Sequence, residues 1–400
     1  MPWKEKSARS ERARFVRAVR TRNENFSQVC RSFGISRKSG YKWLKRAEKE
    51  GNELLNDRRR GPRKGVDQKR IIEMILRQKK SHPFWGSKKL QILLSRQLAK
   101  EELPSRSTVH RVLAGKGMVK GRKRRRRGPL IIVEPWAQAQ GSNDIWGVDF
   151  KGWFRTGDKN KCFPLTVSDY YSRFILCFEL LQSESLDLVQ QRLEKLFARY
   201  GRPKAIRVDN GKPFGGGNVL GLSRLSLQWR LAGIDVQFMD PASPYQNGRH
   251  ERMHLSYDIE LCRQPAWDLK SQKTLTRNWV KEFNNKRPHE ALNMRCPAEV
   301  YVKSSLSYRQ PKRPFGYGDW PTRNIDKKGD LWWGNQRHFI GEAFAGHQVG
   351  LKLVSPGLYE LYLADLLLGT LHEAEFLEFR PTVEIRKTPR RPRTKSVTQL

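Results

Sequence analysis

The residues with the clearest chemical potential lie in one short stretch around Glu251. Residues 250–254 read HERMH, an H-E-x-x-H pattern in which two histidines one helical turn apart bind zinc and the glutamate acts as a general base. The same glutamate follows residues 246–248 (Gln-Asn-Gly) and can instead complete a set of three carboxylates with Asp149 and Asp209. The first alternative predicts a zinc protease, and the second predicts phosphoryl transfer on nucleic acid.

Asp149 and Asp209 each end an apolar run, Ile-Trp-Gly-Val-Asp in one case and Ala-Ile-Arg-Val-Asp in the other. A strand would place each side chain at the edge of a sheet core, where an unpaired carboxylate is costly unless it binds metal or water. Either aspartate alone could be an ordinary turn or cap residue. Together with Glu251 they offer the oxygen ligands that two Mg²⁺ ions need for phosphoryl transfer, and we expect Mn²⁺ to be able to substitute.

The charge of the chain favours a polyanionic partner. Its 79 Lys and Arg residues exceed its 40 Asp and Glu residues, which gives a formal net charge of +39. The excess is uneven, because residues 1–130 hold 39 basic and 11 acidic residues. A globular enzyme has no structural need for such an excess, so we expect the N-terminal third to bind nucleic acid. A zinc protease would leave this distribution unexplained.

The five cysteines are scattered and form no C-x-x-C pair, which favours reduced thiols over disulfides or a structural zinc site. The N-terminal residues do not have the apolar core of a signal peptide. No window approaches the ~20 apolar residues that a membrane span needs. We therefore expect a soluble intracellular protein without membrane contact.

Two N-terminal segments, residues 1–57 and 66–120, have the pattern of helix-turn-helix units. In each, a serine can cap the second helix, Ser36 in the first unit and Ser105 in the second. Tyr41 is expected to hold the capped helix of the first unit to its core. The residues expected to contact DNA from these helices are Arg37, Lys38, Ser39, Lys42, Arg106, Ser107 and Arg111. An ordinary small helical bundle is the alternative for the first unit.

Residues 121–142 form a basic linker, in which Arg124 and Arg125 are expected to track DNA phosphates without reading sequence. The pattern then changes to strands. The pattern over residues 143–305 predicts three strands followed by helix, strand, helix, strand and helix. This is the order expected of an RNase H-like α/β catalytic core.

Beyond the core, short apolar runs separated by turn residues over residues 312–380 predict a small all-β barrel. Trp332 and Trp333 are expected in its core. Residues 381–400 form a basic, proline-containing tail that we expect to be disordered. The predicted fold class is therefore multidomain, with all-α helix-turn-helix units, an α/β RNase H-like core and a small all-β C-terminal barrel.

Three motifs resemble the catalytic blocks of one known family. They are residues 146–149 (Trp-Gly-Val-Asp), 208–211 (Val-Asp-Asn-Gly) and 243–251 (Ser-Pro-Tyr-Gln-Asn-Gly-Arg-His-Glu). They resemble the integrase-core transposases of bacterial insertion sequences, the D-D-E group related to retroviral integrases. Residues 287–292 and 296–300 resemble the block that follows the core in this family. The resemblance covers about residues 10–380.

The resemblance implies that Asp149, Asp209 and Glu251 are the catalytic metal ligands. The implied activity is hydrolysis at the 3′ ends of a mobile element, followed by attack of the freed 3′-hydroxyl on target DNA. The implied partners are double-stranded DNA, both element ends and target, and at least a second copy of the chain, because two ends must be joined. The implied location is the bacterial cytoplasm, in association with the nucleoid. Residues expected to support the carboxylates or to contact DNA near them are Asn210, Gln246, Asn247, Arg249 and Arg252.

One position departs from the family. A basic residue is usual two helical turns after the glutamate, where this chain has Asp258, and Leu255 is apolar where a basic residue is common. Either Arg249 and Arg252 compensate for this departure or this copy is weakened. A transposase-derived DNA-binding protein without catalytic activity is therefore kept as an alternative.

The zinc alternative needs His250 and His254 on one helix face and a third protein ligand. No later block of the sequence resembles the usual completion of a zinc-protease site. We therefore expect Glu251 to belong with the two distant aspartates.

Overall fold

The computed structural model describes residues 8–21, 25–50, 55, 67–119, 138–240, 247–311, 314–373 and 378–381, without the side chains of residues 8, 9, 50 and 378. Arg124, Arg125 and Gln246 lie outside these ranges, as do most of the predicted linker and tail. No helix within the ranges has the length and apolar character that crossing a membrane requires. The chain divides into two compact units, residues 1–74 and 75–400. The domain boundaries drawn from the sequence stay predictions.

The first unit contains a helix-turn-helix. Its helices are α1 (Ala8–Thr21), α2 (Phe26–Ser32) and α3 (Arg37–Glu50). Gly34 makes the turn with a φ of 65°, and the Ser36 hydroxyl caps α3 by accepting a backbone N–H at 3.2 Å. Trp43 is 5% exposed and anchors α3 in the core, whereas Tyr41 is 54% exposed. The ring of Tyr41 stacks on that of Phe26 with centroids 4.3 Å apart, so it holds α3 to the edge of the core, as expected.

Three further helices precede the sheet. They are α4 (Gln68–Ser81), which crosses the division between the units, α5 (Ser87–Ser95) and α6 (Arg106–Gly115). Ser105 caps α6 as the sequence predicts, because its hydroxyl accepts a hydrogen bond from Thr108 N at 3.2 Å. Leu90 of α5 and Leu113 of α6 are almost fully buried, so apolar packing holds these two helices together.

A mixed sheet with helices on both faces forms the centre of the larger unit. Its elements are β1 (Ile145–Phe150), β2 (Phe154–Arg155), β3 (Lys161–Asp169), β4 (Ile175–Leu181), α7 (Leu186–Tyr200), β5 (Ala205–Val208), α8 (Arg224–Leu231), β6 (Asp235–Phe238), α9 (Gly248–Tyr257) and α10 (Leu269–Asn285). β1 pairs antiparallel with β3, and β3 with β4, whereas β5 pairs parallel with both β1 and β6. This architecture confirms the predicted α/β core.

The two faces of β1 differ because successive side chains of a strand point to opposite sides of the sheet. Trp146 and Val148 face α7 and are almost fully buried in the main hydrophobic core. Gly147 and Asp149 face α9. The first predicted metal ligand therefore stands on the side of the sheet that α9 covers.

Gly147 permits the close approach of α9 to β1. A methyl group at this position would lie 2.6 Å from Cε1 of His250, so a larger residue would displace the helix. One helical turn later, Nε2 of His254 lies 2.9 Å from the hydroxyl of Thr166 on β3. That hydroxyl donates a hydrogen bond to the backbone oxygen of Asp149. The helix that carries Glu251 is thus held against β1 and β3 at two successive turns.

A π-helical segment, Asp258–Cys262, continues α9 at the position where the sequence departs from its family. Oδ1 of Asp258 lies 3.1 Å from Nζ of Lys151, whose side chain is 12% exposed. Lys151 follows β1 and lies two residues beyond Asp149. Asp258 is therefore the partner of a largely buried lysine, and a basic residue in its place would face another cation.

Polar contacts join the helices that precede the sheet to the segment that follows it. They are His82 with Glu282 at 3.2 Å, Lys88 with Glu290 at 3.0 Å, and Arg96 with Glu299 at 3.3 Å. The guanidinium of Arg287 lies between aromatic rings of both parts, 5.4 Å from Trp85 and 5.4 Å from Trp279. These contacts fix α5 beside α10.

The C-terminal strands are antiparallel. They are β7 (Thr322–Asn324), β8 (Asp330–Trp333), β9 (Gln336–Phe339), β10 (Gln348–Ser355), β11 (Leu358–Leu363), β12 (Leu366–His372) and β13 (Glu378–Pro381). Five of them form a sheet in the order β13-β12-β11-β10-β7, and β8 pairs with β9. Closure into a barrel stays a prediction. Trp333 packs edge-on against Tyr359, but Trp332 is 56% exposed, so its predicted place in the core is wrong.

We expect Asp258→Lys to destabilise the larger unit by about 1–2 kcal/mol, because it removes the partner of Lys151 and places a second cation beside it. Leu255→Lys is the matched control, since Leu255 is 45% exposed on the same helix and has room for a lysine in solvent. Urea titration of both variants measures the free energy of unfolding. An unchanged value for Asp258→Lys would contradict the role given to this ion pair.

Candidate active site

Asp149 is the first of the three predicted carboxylates and lies near the end of β1. Its Oδ2 accepts a hydrogen bond at 2.6 Å from Nδ2 of Asn247, the residue that precedes α9. The residue is only partly exposed. Burial raises the pKa of its carboxyl to about 7, and the negative charges of Asp209 and Glu251 act in the same direction. Asp149 is therefore within electrostatic reach of both other carboxylates.

Asp209 directly follows β5. The register of the parallel strands β1 and β5, continued to their ends, sets Asp209 beside Asp149. Its Oδ1 accepts a hydrogen bond from the backbone N–H of Gly211 at 3.3 Å, and partial burial raises the pKa of the carboxyl. The side chain of Asn210 donates to the backbone oxygen of Met239, which ties the loop after β5 to the end of β6.

Glu251 lies in the first turn of α9 and is exposed. In the described ranges, no group of three or more His, Cys, Asp or Glu side chains forms a ready-made metal site. Nor does a lysine or arginine of those ranges form an ion pair with Glu251, Asp149 or Asp209. Within the described ranges, none of these three carboxylates thus has an ion-paired basic side chain to balance its charge.

The two histidines of α9 have packing roles. His250 is 1% exposed and covers Gly147, and burial lowers its pKa to about 4. His254 contacts the Thr166 hydroxyl, and its pKa is lowered to about 2, mainly by burial and further by His250 and Lys151. Both imidazoles are therefore neutral groups between helix and sheet, and the H-E-x-x-H pattern coincides with the packing face of α9.

The predicted DNA-contact residues within the described ranges lie mostly at the surface. Arg37, Lys38, Lys42, Arg106, Ser107, Arg111, Arg249 and Arg252 are exposed. Ser39 is half-buried, with its hydroxyl 3.0 Å from that of Ser36. Arg249 donates from Nη1 to the backbone oxygen of Tyr170 at 2.7 Å, which fixes this arginine near the turn between β3 and β4.

Gly147 and Thr166 shape the site although the sequence did not single them out. Thr166 contacts both Asp149 and His254, and no local pattern predicts such a contact between strands and a later helix. Gly147 did carry a signal, because a glycine inside an apolar strand often marks the close approach of another element. The structure supplies that element, which is α9.

Models of known domain families match most of the chain up to residue 297. Two models described as integrase core domain match residues 139–244 and 232–297. A helix-turn-helix domain model matches residues 11–63, and a homeodomain-like domain model matches residues 39–113. All three predicted catalytic carboxylates fall within the integrase core matches.

The chain is similar to two curated insertion-element proteins. One is the insertion element IS407 uncharacterized 31.7 kDa protein of Burkholderia multivorans, 26% identical over 246 residues that cover 60% of this chain and 83% of the relative. The other is the insertion element IS476 uncharacterized 39.2 kDa protein of Xanthomonas euvesicatoria, 25% identical over 256 residues that cover 62% of this chain and 68% of the relative.

Solved structures similar to the chain include integrases, at low scores. The HTLV-2 integrase catalytic core domain in complex with magnesium is 14% identical with a TM-score of 0.31, covering 41% of this chain and 100% of that chain. The simian T-cell lymphotropic virus intasome in complex with PP2A regulatory subunit B56 gamma is 15% identical with a TM-score of 0.34, covering 74% of this chain and 97% of that chain. Scores this low support no further conclusion.

The domain matches and the insertion-element relatives agree with the catalytic blocks read from the sequence. The helices of the N-terminal region and the mixed α/β sheet agree with the same assignment. The chain is an insertion-sequence transposase with an integrase core and helix-turn-helix DNA-binding domains.

Proposed function

We propose that this transposase binds the terminal inverted repeats of its element, cleaves at the 3′ ends and joins them to target DNA, with Asp149, Asp209 and Glu251 as catalytic metal ligands. One observation carries the proposal: the charges of Asp209 and Glu251 both act on Asp149, although the three residues belong to distant segments. In the described ranges no basic side chain pairs with them. A divalent cation bound by the three would account for their proximity.

The residues fit a hard divalent cation. Carboxylate oxygens are the ligands that Mg²⁺ prefers, and a cation would offset the burial and repulsion that raise the pKa of Asp149. Two Mg²⁺ ions, or Mn²⁺ in their place, would activate the attacking oxygen and stabilise the leaving oxygen. The three carboxylates would hold the ions, and Asn247 would keep Asp149 in orientation.

Other parts of the protein would bind and place the DNA. The exposed basic residues of α3 and α6 would hold the element ends, as second helices of helix-turn-helix units do in a major groove. Arg249 and Arg252 flank Glu251 in sequence and would contact backbone phosphates close to the reaction.

The oligomeric state and the cellular location are part of the same proposal. Joining two element ends requires at least two copies of the chain on DNA. The reaction would take place in the bacterial cytoplasm at the nucleoid. The antiparallel C-terminal strands would close into a small barrel beside the core.

We expect Asp209→Asn to bind the terminal inverted repeats normally but to lose Mg²⁺-dependent 3′-end cleavage by roughly a thousandfold, since losing a metal ligand removes several kcal/mol of transition-state stabilisation. Asp235→Asn removes an exposed carboxylate from the neighbouring strand β6 and serves as the control. Gel-shift and cleavage assays on the same labelled end measure binding and chemistry separately. Cleavage that survives in Asp209→Asn would refute the triad, and wild-type protein that binds but never cleaves would favour the non-catalytic alternative.

We also expect Asp149→Asn to stabilise the metal-free protein. The folded-state pKa of Asp149 is raised to about 7, above the ordinary Asp pKa of ~4. The folded protein therefore keeps its full stability while Asp149 is protonated in both states, below pH ~4, and loses stability as the pH rises through 7. At pH 8 in EDTA, the variant should gain at least about 1 kcal/mol, or ~2–4 °C in Tm for a domain of this size. At pH 5 the gain in stability over wild type should be smaller, because Asp149 is then mostly protonated in the folded protein.

Asp144→Asn is the matched control, because Asp144 pairs with Lys204 at 2.8 Å and its pKa is lowered by that contact. This variant should lose stability at pH 8. Scanning calorimetry at both pH values measures Tm for each variant. A lower Tm for Asp149→Asn at pH 8 would contradict the repulsion described at the site.

A further inference from the structure

A cationic pocket of about 310 Å³ lies beside the carboxylate site. It is enclosed by α5, the turn between β3 and β4, α9 and the segment after α10. The basic residues in its described lining are Lys89, Arg173, Arg249, Arg252 and Arg287, and His289 beside them has a pKa lowered to about 3, mainly by burial. Asp169 is the acidic residue in that lining. Such an excess of positive charge in a concave space favours an anionic ligand.

Asp169 does not neutralise the pocket, because its oxygens are already bonded. Oδ2 accepts hydrogen bonds from Ser172 N at 2.7 Å and from Ser172 Oγ at 2.6 Å. Oδ1 accepts a hydrogen bond from Asn143 N at 2.7 Å. Asp169 therefore closes the turn between β3 and β4 and forms no described ion pair with Lys89, Arg173, Arg249 or Arg252, whereas Arg287 pairs with Glu260 outside the lining.

Arg173 ends this turn and places its guanidinium in the pocket. Its Nη1 is buried and has no hydrogen-bond partner in the described part of the chain. Nε2 of His289, also in the lining, is buried without a described partner in the same way. Unpartnered polar atoms in a protein interior are rare, and a ligand that accepts hydrogen bonds would pair with Nη1 of Arg173, and with Nε2 of His289 in the tautomer that carries its proton there.

The backbone of Arg173 adds to the argument. Its φ of 65° lies in the left-handed region, which glycine and asparagine adopt more readily than arginine. The turn itself needs only the backbone N–H of residue 173, which donates to the backbone oxygen of Asp169 at 2.9 Å. A glycine or asparagine could supply that bond, so the arginine side chain is not explained by the turn.

The cations of the pocket also repel one another. The pKa of Lys89 is lowered to about 8, mainly by burial and next by the charge of Arg287. Burial lowers the pKa of Arg173 to about 10, with Arg249 acting in the same direction. A bound anion would offset both the burial and the repulsion. The pocket therefore has the charge, the donors and the enclosure of an anion site.

We propose that this pocket binds one backbone phosphate of the DNA, beside the phosphate at which the carboxylates act. The proposal rests on the proposed function, because DNA is the anionic substrate that transposition supplies. Tyr170 lines the pocket and donates from its hydroxyl to Oδ1 of Asn247 at 3.4 Å, and Nδ2 of Asn247 donates to Oδ2 of Asp149 at 2.6 Å. A phosphate held in the pocket therefore lies on the side of the first carboxylate. Guanidinium groups suit this ligand, since their N–H pairs match the geometry of phosphate oxygens.

Arg173→Asn tests the proposal without disturbing the turn, because asparagine accepts a positive φ. Lys195→Asn, an exposed position on α7, is the control for the loss of one positive charge. We expect Arg173→Asn to weaken binding of a duplex carrying the terminal repeat about tenfold in EDTA, and to lower the slope of log affinity against log salt by about one. The DNA affinity and the salt slope of Lys195→Asn should equal those of the wild-type protein.

Thermal unfolding of the DNA-free proteins separates a ligand site from a structural role. Arg173→Asn should melt at or above the wild-type temperature, because it relieves crowded charge and an unfavourable backbone conformation. A lower melting temperature together with weaker DNA binding would mean that Arg173 maintains the fold, and that result would overturn the proposal. Lys89→Met is the second variant and should also weaken DNA binding without lowering the melting temperature.

A duplex series with one neutral methylphosphonate at a time identifies the phosphate. We expect one position at which neutralisation weakens wild-type binding about tenfold and leaves Arg173→Asn unaffected. Inorganic phosphate that raises the wild-type melting temperature, with no such position in the series, would assign the pocket to a free anion and overturn the proposal. Normal DNA binding by Arg173→Asn would also overturn it, while the cleavage result for Asp209→Asn would still decide the proposed function by itself.

Discussion

The burial of Asp149, on which the charges of Asp209 and Glu251 also act, sets the conditions that the rest of the core must meet. Like charges in a partly buried site weaken a fold, so other interactions have to hold them together. Main-chain pairing of β1 with β5 keeps the two aspartates side by side whatever their charge. Glu251 is carried on a separate helix and stays exposed, which limits the cost of its charge. The core is thus a stable frame around a cluster that a divalent cation would neutralise.

The position of α9 decides how the third carboxylate reaches the other two. Gly147 lets the helix approach β1, and neutral His250 and His254 fill the contact without adding charge. Lys151 and Asp258 extend the contact by an ion pair at the start of the π-helical segment. The same helix carries Arg249 and Arg252 toward the cationic pocket. One element therefore lies between a region suited to a cation and a region suited to a phosphate, which is the arrangement that phosphoryl transfer on DNA needs.

Features that depend on local periodicity were predictable from the sequence, and features that depend on distant contacts were not. Apolar runs predicted the strand that carries Asp149 and the strand that Asp209 follows, and the serine caps of α3 and α6 follow from short-range chemistry. The pairing of Lys151 with Asp258 joins residues far apart in the chain, so no local pattern could reveal it. The pocket around Arg173 likewise assembles side chains from four separate segments. The exposure of Trp332 was missed because strand patterns do not tell which face of a short hairpin meets the core.

Iron-directed cleavage of the protein tests whether Asp149, Asp209 and Glu251 bind metal together. With hydrogen peroxide as the oxidant and ascorbate to regenerate Fe²⁺, iron bound in place of Mg²⁺ generates hydroxyl radicals that cut the backbone near the ion, and the fragments map its ligands. We predict cuts around residues 149, 209 and 251 together, which excess Mg²⁺ suppresses and which are lost in a chain that carries Asp149→Asn. Cuts confined to residues 250–254, or cuts that persist unchanged in the Asp149→Asn chain, would contradict it.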